Sequence, residues 1–214
     1  MTNTTELTLH VDPACPWAWL TSRWLDEVER VRPVRVTTRL FVLAEINRGS
    51  EPDERHLRFH RASETAMRVM VAARRAGGDA ALARVYTELG EAHHERGEPL
   101  DDAAVLRHAL QAAGLDPGLA EAAAADPSTR DEMLAEHATI AARGAFGVPT
   151  LVLGDAPPSF GPCIDTRIVG EPAGELWDRV SWLLTAEHFY ELKRERSGRP
   201  DVGRYRVQAG TAAG

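Results

Sequence analysis

The sequence has little that would place the protein at a membrane or on a nucleic acid. No apolar run approaches the roughly 20 residues that a membrane-spanning helix needs, and Met1 to Glu6 lack the charged-then-apolar pattern of a secretory signal. Positively charged residues are also outnumbered, because the 214 residues include 25 Lys and Arg against 32 Asp and Glu. The formal net charge is therefore -7. A nucleic-acid binder needs a basic face to neutralise phosphates. We therefore expect a cytoplasmic protein with no membrane and no nucleic-acid partner.

Cysteine and metal-ligand patterns are scarce as well. The chain has two cysteines, Cys15 and Cys163, and in a reducing cytoplasm we expect no structural disulfide between them. His93 and His94 are adjacent on a predicted helix, so they point to different faces and are unsuited to a shared metal. No Cys/His set has zinc-ligand spacing. We therefore predict no metal site, and we find no Gly-rich phosphate loop and no Ser-His-Asp arrangement.

The hydrophobic spacing that is present predicts a chain of strands and helices. Apolar residues alternate over 7–11 and 34–43, and they recur every three or four residues between Cys15 and Val31. A long helical section follows, with glycines at several of the expected helix ends. Its predicted helices are 54–75, 79–96, 100–113, 116–125 and 128–143. The remaining predicted elements are a strand over 148–153, a short extended piece over 159–162 and a helix over 172–187.

This order of elements predicts an α/β protein. It fits a βαβ unit and a ββα unit that are separated by an all-helical insertion. We assign the core to 1–50 and 145–196 and the insertion to 51–144. The residues over 197–214 are polar and glycine-rich, so we predict a loosely held, flexible C-terminal tail.

The segment Cys15-Pro16-Trp17-Ala18 joins the first predicted strand to the first predicted helix. Unpaired backbone N–H groups at a helix start favour an anion, and a cysteine there can have its pKa lowered from about 8.5 to roughly 3.5–7.5. We therefore predict that Cys15 is largely a thiolate at neutral pH. A Cys-x-x-Cys pair at this place would be a thioredoxin-type redox motif, but Ala18 stands where its second sulfur would be.

Two positions later in the chain are further candidates. Pro149 opens a predicted strand, and since only about 5–6% of X–Pro bonds are cis in folded proteins, its position alone favours a trans bond. Cys163 follows a short extended piece, and we interpret it as a small, partly buried thiol. A role for Cys163 as resolving partner of Cys15 stays open, because a disulfide needs Cα atoms within about 7 Å.

Taken together, the sequence resembles the DsbA-like branch of the thioredoxin superfamily, and more specifically the actinobacterial mycothiol-dependent nitroreductases. The stretches that carry the resemblance are 12–24, 43–47, 86–90, 147–150, 160–162 and 188–194. The resemblance implies a thioredoxin-like fold with the helical insertion between its two halves. It also implies mycothiol as a co-substrate, with no tightly bound cofactor.

The resemblance implies roles for individual residues. Cys15 is similar to the nucleophile of the family and Pro149 to its cis-proline, with the backbone of Val148 offered to a bound thiol. The residues that would line the cleft beside them are Pro16, Trp17, Trp19, Asn47 and His94. Ala18 departs from the pattern, because the nitroreductases carry a second cysteine there. The 2-hydroxychromene-2-carboxylate isomerases and kappa-class glutathione transferases of the wider superfamily also lack the cysteine pair.

Two enzymatic mechanisms use a single thiolate. The sequence favours cis-trans isomerisation of a conjugated small molecule or carrier-bound acyl substrate, in which Cys15 adds reversibly and no disulfide forms. Trp17, Trp19 and Phe160 would then supply flat apolar walls. The alternative is a monothiol, mycothiol-dependent reductase of disulfides or nitro compounds. A binding or chaperone-like protein is a third hypothesis, and the oligomeric state, monomer or homodimer, stays open.

Overall fold

The computed structural model describes residues 4–47, 54–196 and 198–203, and within them the strands form one mixed four-stranded sheet. The strands are β1 (Thr5–Val11), β2 (Val34–Leu40), β3 (Thr150–Leu153) and β4 (Ser159–Phe160), in the order β2-β1-β3-β4. β1 pairs parallel with β2 and antiparallel with β3, and β3 pairs antiparallel with β4. The sheet therefore joins the two predicted halves through its central pair, β1 and β3.

The middle of the sheet is formed by β1. Its alternate residues Leu7, Leu9 and Val11 are at most 1% exposed, which explains why this short apolar run is extended rather than helical. The second strand is shorter than the predicted 34–43. Phe41 makes the last backbone bond to β1, donating to the Val11 carbonyl at 2.8 Å. Beyond it β1 turns away and offers no partner, so the chain forms one helical turn, α2 (Leu43–Ile46).

One face of the sheet is covered by α1 (Pro16–Val31) and α7 (Glu171–Thr185). Trp24 on α1 is fully buried, and its indole N–H donates to the Ala173 carbonyl of α7 at 3.0 Å. Arg32, just after α1, forms ion pairs with Glu171 and Asp178 at 2.7 and 2.8 Å. These contacts fix the two helices to each other and so fix the position of the start of α1.

The helical insertion has the elements α3 (Glu54–Gly90), a π-helical turn (Glu91–Arg96), α4 (Ala103–Ala112), α5 (Leu119–Ala125) and α6 (Ser128–Ala141). The sequence predicts separate helices over 54–75 and 79–96, but α3 runs through this boundary with a kink. Gly78 has a φ of 72° there, a conformation that glycine adopts without steric cost. The helix resumes because Ala81 and Leu82 just beyond the kink are fully buried.

The insertion docks against the edge of the sheet. The backbone N–H of Leu40 donates to Glu136 of α6 at 2.8 Å, and that of Val42 donates to Nδ1 of His137 at 3.2 Å. A single cluster of buried apolar side chains continues from the sheet into the insertion. Core and insertion therefore meet over the ends of β1 and β2, which is where Cys15 lies.

The tail is held where the structure describes it. Val202 is 2% exposed and joins the buried cluster, and the backbone N–H of Asp201 donates to the Asp165 carbonyl at 2.7 Å. Residues 198–203 thus contact the core, contrary to the expectation of a loose tail, while 204–214 lie outside the described residues. Among the described helices, none combines the length and apolarity that crossing a membrane requires.

Candidate active site

Cys15 occupies the position just before α1, and Pro16 is the first residue of that helix. The thiol is 7% exposed and donates to the Val148 carbonyl, with 3.7 Å between Sγ and oxygen. The following Val148-Pro149 peptide bond is cis, as the family resemblance implied. The start of α1 and the start of β3 therefore meet at the sulfur, although they are more than 130 residues apart in the chain.

The protonation state of Cys15 is the opposite of the one that its position predicts. Burial raises the pKa of the Cys15 thiol to about 12, and the nearby carboxylate of Asp12 raises it further. The backbone N–H groups of Ala18 and Trp17 lower the pKa, but their effect is smaller. Loss of hydration thus outweighs the helix N-terminus, and the resting site holds a neutral thiol.

Asp12 is a buried residue in the turn that precedes Cys15. It is 1% exposed, and burial raises the pKa of its carboxyl group. Its oxygens accept hydrogen bonds from Ala14 N–H at 3.0 Å, from Leu43 N–H at 3.2 Å and from the Ser63 hydroxyl. Asp12 therefore ties the turn before Cys15 to α2 and to the helical insertion. An Asp placed directly after an apolar strand was the only available signal for this role.

A second sulfur lies near the site, although not in the usual place. Ala18 is fully buried, so the resolving position of a Cys-x-x-Cys motif is closed by a methyl group. Cys163 is a half-buried free thiol, and its charge contributes to raising the pKa of Cys15. The Arg196 guanidinium donates to its sulfur at 3.5 Å. Both cysteines are free, and burial raises the pKa of Cys163 as well.

The C-terminal segment contributes to the surface around Cys15. Arg196 lies over the ring of half-buried Trp17, with 4.4 Å from the guanidinium carbon to the ring centroid. Phe160, expected as a flat wall, is 41% exposed and stacks on Phe146 with ring centroids 5.2 Å apart. Sequence reasoning missed Arg196 and Phe146, since neither lies in a local pattern that points to the site.

Trp19 and His94 are buried rather than exposed in an open cleft, and this corrects the prediction that they line it. Both are fully buried, and their rings stack with centroids 5.7 Å apart. His94 Nε2 donates to the Pro13 carbonyl at 2.8 Å, which supports the turn that carries Cys15. A Cβ on Gly90 would lie 2.2 Å from the Trp19 ring, so the insertion can pack here only because residue 90 is glycine.

Asn47 follows the short helix α2. It is exposed at the end of α2, next to residues 48–53, which the structure does not describe. Its role in the cleft stays a prediction. Across 4–47, 54–196 and 198–203, no group of three His, Cys, Asp or Glu side chains could hold a metal ion.

A cavity of about 400 Å³ opens beside the residue that precedes Cys15. Its lining residues are Ala14, Arg58, Phe59, Arg61, Ala62, His93, Pro99, Leu100 and Asp101. All of them except Ala14 belong to the insertion, so the cavity lies between the core and the insertion. Its walls come from three separate stretches of the chain, so no local pattern in the sequence predicts it.

The family model described as Rv2466c-like, mycothiol-dependent nitroreductase Rv2466c, matches residues 14–194. The chain belongs to this family. A relative in Mycobacterium tuberculosis, the uncharacterized protein Rv2286c, is 34% identical over 196 residues, which are 90% of this chain and 83% of that protein. The prediction of a protein near the mycothiol-dependent nitroreductases is thereby confirmed.

Solved structures share the fold of this family member. A 2-hydroxychromene-2-carboxylate isomerase aligns with a TM-score of 0.60 at 16% identity, covering 98% of this chain and all of that one. The probable DsbA oxidoreductase SCO1869 from Streptomyces coelicolor has a TM-score of 0.54 at 20% identity, covering 92% and 97%. The cytosolic disulfide reductase DsbM from Pseudomonas aeruginosa, solved with GSH, has a TM-score of 0.54 at 20% identity. The alignment covers 84% of this chain and 98% of DsbM. The DsbA-like, thioredoxin-like fold is confirmed.

Family membership and the geometry at Cys15 together support a thiol-dependent oxidoreductase or isomerase of the DsbA type. Ala18 stands where a Cys-x-x-Cys motif would carry its second sulfur. The active-site chemistry of this family member therefore has to proceed with one sulfur at the start of α1.

Proposed function

We propose that this protein is a mycothiol-dependent oxidoreductase that works with a single cysteine, Cys15, and reduces a small disulfide or nitro compound in the cytoplasm. The observation that carries the proposal is the arrangement of the Cys15 sulfur against the Val148 carbonyl and cis-Pro149 in a chain of the mycothiol-dependent family. A backbone carbonyl next to a cis-proline and the sulfur is suited to pairing with a second, thiol-bearing molecule once that molecule enters the site.

In the disulfide reaction, the Cys15 thiolate attacks one sulfur of a substrate R–S–S–R′. The bond from Cys15 to the R sulfur forms, the S–S bond breaks, and the R′ thiolate leaves with the proton that Cys15 has lost. Cys15 is then released as a thiol when the R sulfur is attacked by mycothiol, which becomes the mixed disulfide with R. One electron pair passes between sulfurs in each step. The first step is bimolecular in any case, and the second is bimolecular because residue 18 is alanine.

The neutral state of Cys15 supports a reductase over an oxidant. DsbA is a strong oxidant because its reduced form is stabilised as a thiolate. Here burial works against the Cys15 thiolate, so the reduced form lacks that stabilisation. Oxidation of this sulfur is therefore favoured at equilibrium, while its attack on a disulfide proceeds through the small fraction that is thiolate. For this reason, and because of the family, we place reduction ahead of the isomerisation that the sequence alone favours.

Isomerisation is the second candidate, and the closed position at Ala18 favours it. A reversible addition needs one sulfur and transfers no net electrons. Cys15 would add to the β-carbon of a conjugated carbonyl compound while a proton adds at the α-carbon. Rotation about the new single bond and loss of both groups would return the double bond in its other geometry. Trp17 and the stacked pair Phe146 and Phe160 offer flat apolar surfaces for such a substrate.

One experiment separates the two candidates. The purified protein is incubated with mycothiol and hydroxyethyl disulfide or a nitroaromatic compound, and in parallel with a cis-cinnamoyl ester, while both consumption of thiol and double-bond geometry are followed. We expect thiol-dependent reduction that glutathione supports poorly. Isomerisation of the ester without consumption of thiol would establish the second candidate instead. If neither reaction is faster than in a Cys15→Ser control, both candidate functions are rejected.

A further inference from the structure

The cavity beside Ala14 has apolar walls and a cationic side. Phe59, Leu100 and Ala62 form apolar parts of its lining, and its volume of about 400 Å³ is within the range of small-molecule sites, roughly 300–1,000 Å³. Arg58 and Arg61 lie one helical turn apart on α3 and both contribute to the lining. Residues three apart on a helix share a face, so two guanidinium groups are available to the same ligand.

These two arginines differ from others of the insertion in having no acidic partner within the described residues. Arg74 pairs with Glu132 and Glu136, both at 2.7 Å. Within the described part of the chain, Arg58 forms no ion pair, and Arg61 donates to a backbone carbonyl on α3 at 3.4 Å.

Other polar groups of the lining leave this excess of positive charge in place. His93 Nδ1 donates to the Glu98 carbonyl at 3.0 Å. Asp101 is the one carboxylate among the lining residues, against two guanidinium groups. In a protein with a net charge of -7, a locally positive cavity therefore attracts anions that the rest of the surface repels.

We propose that this cavity binds the carboxylate of an aromatic or conjugated acid on Arg58 and Arg61 and directs the apolar body of that molecule past Ala14 toward Cys15. The proposal rests on the proposed function and narrows its substrates to flat anions: aromatic acids that carry the disulfide or nitro group to be reduced, or conjugated acids for the second candidate. A bidentate contact between guanidinium and carboxylate fixes orientation as well as charge. The adjacency of Ala14 and Cys15 in the chain provides the link between the binding site and the sulfur.

Binding is tested without turnover. Titration calorimetry compares cinnamate with cinnamamide, which has the same ring and double bond but no charge. We expect cinnamate to bind at least about 10-fold more tightly, since hydrogen bonds between charged groups are roughly twice as strong as neutral ones. The preference should disappear in the double variant Arg58→Gln/Arg61→Gln and remain in Arg58→Lys/Arg61→Lys. Equal affinity for the acid and the amide would overturn the proposal.

Delivery to the sulfur is tested by alkylation in a Cys163→Ser background. Iodoacetate and iodoacetamide each form a carbon–sulfur bond with the Cys15 thiolate and release iodide, but only iodoacetate is anionic. We expect the ratio of the two rates to fall about 5–10-fold in the double glutamine variant, as for loss of a charge-assisted contact. Arg179→Gln, which removes an exposed cation from α7, is the matched control and should keep the ratio.

An unchanged ratio in the glutamine variant, or the same fall in Arg179→Gln, contradicts the delivery of anions to Cys15. A preference for cinnamate in binding without an effect on alkylation contradicts it too, because the cavity would then not serve the sulfur. Neither readout depends on mycothiol or on catalysis. Failure of this proposal is therefore distinguishable from failure of the proposed function.

Discussion

The two cysteines of this protein show how differently a thiol behaves at a helix start and in a surface loop. Cys15 has the helix N-terminus but lies next to buried Asp12 and almost out of contact with solvent. Cys163 does not precede a helix. It is half-buried, and its sulfur accepts a hydrogen bond from the Arg196 guanidinium. Hydration and neighbouring charge, rather than the helix, decide which sulfur ionises more easily. The thiol assigned to catalysis is thus the one that is harder to ionise.

The largest effect is expected from removing the sulfur of Cys15, and a small one from removing that of Cys163. Cys15→Ser should lower reductase activity by at least roughly 1,000-fold, because a hydroxyl does not replace a thiolate in covalent catalysis. Cys163→Ser should retain activity within about 3-fold, because it removes a nearby thiol that takes no part in the covalent steps. Initial rates with mycothiol and hydroxyethyl disulfide measure both. A large loss in Cys163→Ser would show that the second sulfur resolves the mixed disulfide.

The next effect comes from restoring the missing sulfur. Ala18→Cys creates the Cys-x-x-Cys motif at the start of α1, so Cys15 can be released by an intramolecular attack. We expect the oxidised variant to be lighter by two hydrogen atoms in intact mass, and its turnover to depend less on mycothiol concentration. Ala18→Ser is of similar size and lacks the sulfur, so it should do neither. If both thiols of Ala18→Cys remain free after treatment with an oxidant, residues 15 and 18 are not placed to form a disulfide.

The ionisation of the two sulfurs can be compared directly by alkylation. Because the pKa of Cys15 is raised to about 12, its thiolate fraction should increase about tenfold per pH unit from pH 7 to 10 without a plateau. Cys163 is less buried, so iodoacetamide at pH 8 should label it first. Peptide mass spectrometry resolves the two sites. A plateau for Cys15 below pH 8 would mean that the helix N-terminus outweighs burial after all.

The same raised pKa has a consequence for stability, with the sign fixed by linkage. The folded state holds the Cys15 proton at pH values where the unfolded chain, with an ordinary pKa near 8.5, has lost it. The stability that this proton contributes is complete below about pH 8.5 and is lost as the pH rises toward 12. We expect the free energy of unfolding to fall less steeply between pH 8.5 and 10.5 in Cys15→Ser. Urea titrations of both proteins measure it, and parallel curves would contradict the expectation.

The smallest effect concerns the cation at the surface sulfur. Arg196→Gln removes the guanidinium that lowers the pKa of Cys163, so alkylation of Cys163 at pH 8 should slow about 2–5-fold, as for loss of a partly exposed charge contact. Alkylation of Cys15 should not change. Arg194→Gln removes a neighbouring exposed cation and is the control. Equal slowing in both variants would mean that general charge, and not the contact, sets the reactivity of Cys163.

Local sequence patterns predicted the elements of the core well. The alternation over 7–11 and the spacing after Cys15 correspond to β1 and α1, because each depends on residues close in sequence. The start of α4 is also local, since the Asp102 side chain accepts from Ala104 N–H at 2.8 Å and Val105 N–H at 3.2 Å. The cis bond before Pro149 came from the family resemblance and not from its own position.

The sequence by itself therefore determined the strand, the helix start and the single sulfur at Cys15, since these follow from neighbouring residues. Only the tertiary structure decided that the thiol is neutral, that Asp12 is buried beside it and that Arg196 reaches the edge of the site. It also decided that Arg58 and Arg61 face a cavity next to Ala14. Burial and charge proximity are sums over residues from distant parts of the chain, and a local pattern does not contain them.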